Sequence, residues 1–81
     1  MDKIEEKVIE LVSLCLVAEK EQVTRKSDLF ADLNADKLAL AELYVKIEEE
    51  FKLKITPGTW ERVKTIDDIV KLIEEYSDEL L

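Results

Sequence analysis

With 81 residues, the chain has room for one small domain, which would bury about 60% of the surface its unfolded form exposes, and no room for a second. A composition of 47% hydrophobic and 40% charged residues, with one glycine and one proline, argues against a disordered chain and for a compact helical one. A net charge of -8 argues against nucleic acid, whose phosphates it would repel, and favours protein partners with basic or mixed surfaces.

The elements follow in chain order. The acidic opening Met1-Asp2-Lys3-Ile4-Glu5-Glu6 does not have the basic start and apolar stretch of a secretion signal, and no apolar run approaches the roughly 20 residues needed to insert across a membrane. Ile4, Val8, Leu11, Val12 and Cys15 recur at spacings of three and four, which predicts an amphipathic helix from about Lys3 to Val17. A polar connector from Glu19 to Ala35 follows, longer than most connections in compact domains and therefore expected to be packed or functional. Val23, Leu29, Phe30 and Leu33 are its expected anchors, and Asn34 is expected in a left-handed conformation. Asp36 is the expected N-cap of a second helix running to about Phe51, with Leu40, Leu43, Tyr44, Ile47 and Phe51 as its core stripe. Thr56-Pro57-Gly58 breaks the chain, and a short helical turn is expected from Thr59 to Val63. Thr65, with Asp67 and Asp68 in the first turn, opens a last helix carrying Ile66, Ile69, Val70, Ile73 and Tyr76 on one face. The expectation is an all-α four-helix bundle, three long helices and one short, with a long loop between the first two, forming a single domain over residues 1–81.

The stretch Leu29-Phe30-Ala31-Asp32-Leu33-Asn34-Ala35-Asp36-Lys37-Leu38, followed by Glu42-Leu43 and Glu48-Glu49-Glu50-Phe51, resembles the centre of an acyl carrier protein. Ile55-Thr56-Pro57 and Thr65-Ile66-Asp67-Asp68-Ile69-Val70 resemble that family's Ile-Pro step and the start of its final helix. The resemblance covers nearly the whole chain and implies the family's small helical bundle. It also implies an attachment triplet Asp-Ser-Leu, whose serine takes a 4'-phosphopantetheine arm. Here the matching triplet is Asp36-Lys37-Leu38.

Phosphopantetheinyl transfer needs a hydroxyl oxygen to attack the diphosphate of coenzyme A. A lysine has none, and its ammonium form at neutral pH is not a nucleophile. Lys37 is therefore expected to remain unmodified, and no cofactor is expected. Ser13, Ser27 and Ser77 are not in an Asp-Ser-Leu setting and read as a helix hydroxyl, a loop-capping residue and a chain-end residue. The family's second helix is commonly strongly acidic, but residues 36–55 hold five acids against four lysines, and Ala39 stands where an acid is frequent. Docking by electrostatic attraction is expected to be correspondingly weak.

A second side of that helix carries Ala41 and Val45 beside Glu42, Glu48 and Glu49. In the resembling family this side contacts partner enzymes, so it reads either as a small apolar patch with an acidic rim for a partner or as a surface packed on the connector or the short helical turn. Cys15 reads as a core thiol, compatible with a reducing, cytoplasmic setting. Trp60 reads as packing, or as a partner anchor. Glu48-Glu49-Glu50 and Glu74-Glu75 read as solvated faces and not metal sites, because carboxylates adjacent in sequence do not converge on a helix. The absence of histidine removes the ordinary Ser-His and Cys-His pairs, and a single glycine leaves no phosphate loop, so the chain is not expected to be an enzyme. The functional expectation is an acyl carrier protein-like domain of fatty acid, lipid or polyketide-type biosynthesis, monomeric, acting through protein contacts without an arm. The alternatives are a genuine carrier with a substituted attachment site and a noncovalent binder of an apolar ligand between the helices.

Overall fold

The structure, a computed structural model, describes residues 3–80, with side chains described up to Tyr76. Helix α1 spans Lys3–Leu16, α2 Lys37–Phe51, α3 Pro57–Trp60 and α4 Ile66–Leu80. This is the expected small helical bundle of three long helices and one short one. Packing is centred on α1, which lies against both α2 and α4. Val8 and Val12 of α1, Leu43 and Ile47 of α2, and Ile66, Ile69, Val70 and Ile73 of α4 are fully buried where the helices meet. The 3.6-residue period of the apolar positions produces this directly, since each helix presents one stripe to the common core.

Two of the long helices stop in the same way. Val17 and Lys52 follow the last turns of α1 and α2 with φ of 52° and 55°. The next residue then reaches back: the Ala18 N–H donates to the Ser13 carbonyl at 3.0 Å, and the Leu53 N–H donates to the Glu48 carbonyl at 2.9 Å. Left-handed residues at this position normally reverse a chain and satisfy the last carbonyls, a task glycine performs most easily. Helix α4 opens with a reciprocal cap: Asp68 N–H donates to Thr65 Oγ1 at 3.2 Å, and Thr65 N–H donates to Asp68 Oδ2 at 3.1 Å.

The short helix corrects an expectation. It runs over Pro57–Trp60, not Thr59 to Val63, because Thr56 is its N-cap and Pro57 is its first residue. Proline at the first helical position has no needed N–H to lose and a φ already helical, so Pro57 starts this turn where it was expected to break the chain.

The connector is packed, as its length demanded. Lys20–Gln22 form a 3-10 turn that has no periodic signal in the sequence. Further on, Asp28 and Thr65 form an isolated antiparallel bridge. The Leu29 N–H donates to the Lys64 carbonyl at 2.8 Å, and the Ile66 N–H donates to the Ser27 carbonyl at 3.2 Å, which ties the connector to the start of α4. Val23 and Leu29 are buried and Leu33 packs on the core. Phe30 is not an anchor: it is 49% exposed. In the tight turn after Asp28, neighbouring residues point to different sides, and Leu29 takes the inward one.

Candidate functional site

The site begins in the loop that delivers the chain to α2. Asp28 Oδ1 accepts the N–H groups of Phe30 and Ala31, both at 2.8 Å, while Asp32 Oδ2 accepts the Asp28 N–H at 2.7 Å. The two N–H donors, Ala31 first, hold the Asp28 carboxyl below its ordinary range. The Ala35 N–H then donates to the Leu29 carbonyl at 2.9 Å, and Asn34 turns the chain with a φ of 53°. The left-handed expectation for Asn34 therefore holds. Asp36 follows with its Oδ1 accepting the Ala39 N–H at 2.8 Å, the N-cap expected of it.

Lys37 is the first residue of α2. It is exposed and forms no ion pair or hydrogen bond through its ammonium among the described residues. Leu38 beside it is 72% exposed. The triplet Asp36-Lys37-Leu38 is thus a capped, outward-facing helix start with no hydroxyl on it. The other hydroxyls weighed from the sequence lie elsewhere. Ser27 is buried and its Oγ accepts the Thr24 N–H at 3.0 Å, in keeping with a loop-capping residue. The Ser13 Oγ is buried in α1 without a hydrogen-bond partner among the described residues. The side chain of Ser77 lies outside the described residues.

From Lys37 a groove of about 540 Å³ runs along α2. Lys37, Leu40, Ala41, Tyr44, Val45 and Glu48, each three or four positions from another of the set, share one face of the helix about 16 Å long. Ile55, Trp60 and Val63 also line the groove. Trp60 is buried and stacks on Tyr44, with ring centroids 3.9 Å apart and planes inclined by 6°. It is a packing residue and at the same time part of the groove. Burial raises the Tyr44 hydroxyl above its ordinary value. Phe30, half exposed, also lines the groove. The groove escaped the sequence reading because half of its lining comes from the α3 region. On α2, Ala41, Val45 and Glu48 were legible as a second side of the helix, whereas Leu40 and Tyr44 read as part of its core stripe.

Around the helix, Ala41, Glu42, Val45, Lys46 and Glu49 line a shallow depression. Ala41 and Val45 belong to both surfaces, forming the ridge between them, and Val45 is 51% exposed. Both are exposed, so the connector and α3 leave them uncovered. Glu48 differs from the other acids of this region: it is half-buried, and its Oε2 accepts the Ile55 N–H at 2.8 Å. Its carboxylate holds the segment after α2 in place, while Glu42 and Glu49 are exposed. On the opposite helix Cys15 is half-buried, and burial pushes its thiol up, with Lys46 opposing and Glu42 adding to the shift. A thiol so placed is a poor nucleophile. Among the described residues, no helix is long and apolar enough to cross a membrane.

Comparisons with known proteins give this geometry a context. Residues 6–73 match a family model described as phosphopantetheine attachment site. The acyl carrier proteins of Rickettsia massiliae and Rickettsia typhi are each 40% identical over 74 residues, which is 91% of this chain and 86% of theirs. A solved structure of the acyl carrier protein from Enterococcus faecalis superposes with a TM-score of 0.77 at 28% identity, covering 91% of this chain and 94% of that one.

Proposed function

This chain belongs to the acyl carrier protein family, and from that premise we propose that it works through protein contacts on α2 without carrying a phosphopantetheine arm. Members of the family are carriers and not enzymes, and they interact with biosynthetic enzymes. The observation that carries the proposal is Lys37 at the place of the attachment serine, between Asp36 and Leu38, where the arm's phosphate would need a hydroxyl oxygen. The buried hydroxyls of Ser13 and Ser27 offer no substitute. The residues present therefore do not fit covalent attachment.

What remains is a docking face. Ala41 and Val45 supply a small apolar ridge, with Glu42 and Glu49 exposed beside it and Glu48 at its edge holding the Ile55 N–H. Lys46 in the same depression offsets part of this acidity and leaves the face moderately acidic, which suits a basic or mixed partner surface. The partner class is a biosynthetic enzyme of the fatty acid, lipid or polyketide type, met by residues 1–81 as one monomeric, cytoplasmic domain.

The test is intact mass. The chain co-produced with a broad-specificity phosphopantetheinyl transferase is expected to keep its sequence mass, and a stoichiometric arm on any residue would overturn the reading. The groove supports a second reading, noncovalent binding of an apolar ligand, because it is open, lined by apolar side chains and bordered by an aromatic pair.

A further inference from the structure

The segment between α2 and α4 differs in charge from the rest of the chain. Residues 52–64 hold four cations, Lys52, Lys54, Arg62 and Lys64, and one acid, Glu61, in a chain whose net charge is -8. Its buried residues explain where those cations point. Leu53, Ile55 and Val63 are buried and each lies between exposed neighbours, so the three lysines and the arginine are left in solvent. None of the four makes an ion pair or a hydrogen bond through its cationic group among the described residues. The course of the segment is fixed as well. The Ile55 N–H donates to Glu48, Trp60 stacks on Tyr44, and Val63 lines the same groove as Leu40 and Lys37. From Lys52, the C-cap of α2, the chain therefore runs back beside that helix toward its start. Helix α2 has 15 residues, so the cations are spread over about 20 Å. Acids near this strip are engaged elsewhere: Glu50 pairs with Lys7 at 3.8 Å, and Asp68 Oδ2 accepts the N–H groups of Lys64 and Thr65 at 3.0 and 3.1 Å.

We propose that this exposed basic strip docks an acidic segment of a protein partner, one whose carboxylates are spread over a similar length. Charge complementarity selects the sign, because the unpaired cations of the strip match carboxylates. The size of the strip selects a protein segment over a larger polyanion. At physiological salt, exposed charges act over about 8 Å. A nucleic acid or an anionic membrane extends well past the strip and meets the negative remainder of the surface, which repels it. A short acidic segment stays within reach of the cations alone. The strip is distinct from the outer face of α2 and fits the opposite charge: Glu42 and Glu49 there suit a basic contact, Lys54 and Arg62 here an acidic one. A partner that offers both charges is thereby held in one orientation. The strip owes nothing to position 37, so this inference stands apart from the arm-free reading.

The experiment records backbone amide NMR shifts of the isotope-labelled chain during titration with a blocked, alanine-based helical peptide of about 20 residues carrying glutamates along one face. At low salt, about 20 mM, saturable shifts are expected at residues 52–55 and 61–65. They should be absent with the glutamine version of the peptide and should weaken severalfold at about 150 mM salt. The double variant Lys54→Gln, Arg62→Gln, altered only at exposed positions, is expected to bind roughly tenfold more weakly, the combined value of two exposed ion pairs. The double variant Lys3→Gln, Lys20→Gln changes the net charge equally, also from exposed positions, and should bind as wild type does. No saturable shift in the strip, or an equal loss in both double variants, would overturn the proposal. Tighter binding of a charge-matched oligothymidylate or of phosphatidylglycerol vesicles would overturn it in favour of nucleic acid or membrane. Shifts in the strip on concentrating the chain alone would overturn it in favour of a second copy. The transferase mass measurement is a separate readout: an arm found on the chain would sink the arm-free reading and leave this one standing.

Discussion

Val17 carries a φ of 52° at 92% exposure, an uncommon state for a β-branched side chain that gains nothing by packing. It is held there because the Ala18 N–H must reach the Ser13 carbonyl to close α1. Replacing Val17 with glycine is expected to raise stability by about 1 kcal/mol, visible as a higher urea midpoint with an unchanged slope. A lower midpoint would contradict this account of the turn. Asn34, in the same conformation, announced itself, because asparagine is the residue that most often replaces glycine there. Val17 and Lys52 did not, since neither residue type favours the left-handed region and only the packed helix ends require it. Lys37 was legible as a missing hydroxyl. Its place on the lining of a groove was not, because Ile55, Trp60 and Val63, which share that lining, lie some twenty positions away.

At the scale of elements, α2 depends on its cap and α3 on its aromatic contact. Asp36 satisfies the Ala39 N–H, so Asp36→Ala is expected to cost about 1 kcal/mol, measured as a loss in unfolding free energy, while Asp36→Ser should recover most of it. Helix α3 is four residues long and cannot persist by itself; the Trp60 stack on Tyr44 and its burial keep it in place. Trp60→Ala should therefore cost about 3 kcal/mol, and proteolysis between α2 and α4 should accelerate with it. Wild-type resistance in that variant would show that α3 is held by something else. The long helices were readable from apolar spacing alone. The start of α3 was misplaced because Pro57-Gly58 reads as a break until Thr56 is seen to cap it. The interior of the connector was unreadable, since Asp28 organises it through backbone N–H groups that leave no periodic trace.

Over the whole molecule, one cation joins three separate segments. Arg25, in the connector, pairs with Glu5 of α1 at 3.2 Å and with Asp67 of α4 at 2.7 Å, and Lys71 adds a second contact to Asp67 at 3.1 Å. Lys71 and Arg25 hold the Asp67 carboxyl below its ordinary value of 3.8. A carboxyl depressed on folding stabilises the fold above its unfolded value and loses that contribution as pH falls through the folded one. Wild type should therefore be more stable than Asp67→Asn at neutral pH, with the gap closing in thermal unfolding as pH falls below 3.8 and through the lower folded value. A gap independent of pH would remove the charge from the explanation. The same molecule carries most of its charge away from α2: residues 56–81 hold four excess negatives, and residues 36–55 only one. Family membership thus comes with the family's small helical bundle, and the arm-free reading we propose links Lys37 in the triplet Asp36-Lys37-Leu38 with the near-neutral charge of residues 36–55. The most direct test treats wild type and Lys37→Ser in parallel with coenzyme A and a broad-specificity phosphopantetheinyl transferase, then measures intact mass. The account predicts an unmodified wild type and a Lys37→Ser variant that gains one arm on the new serine. An arm on wild type would contradict it.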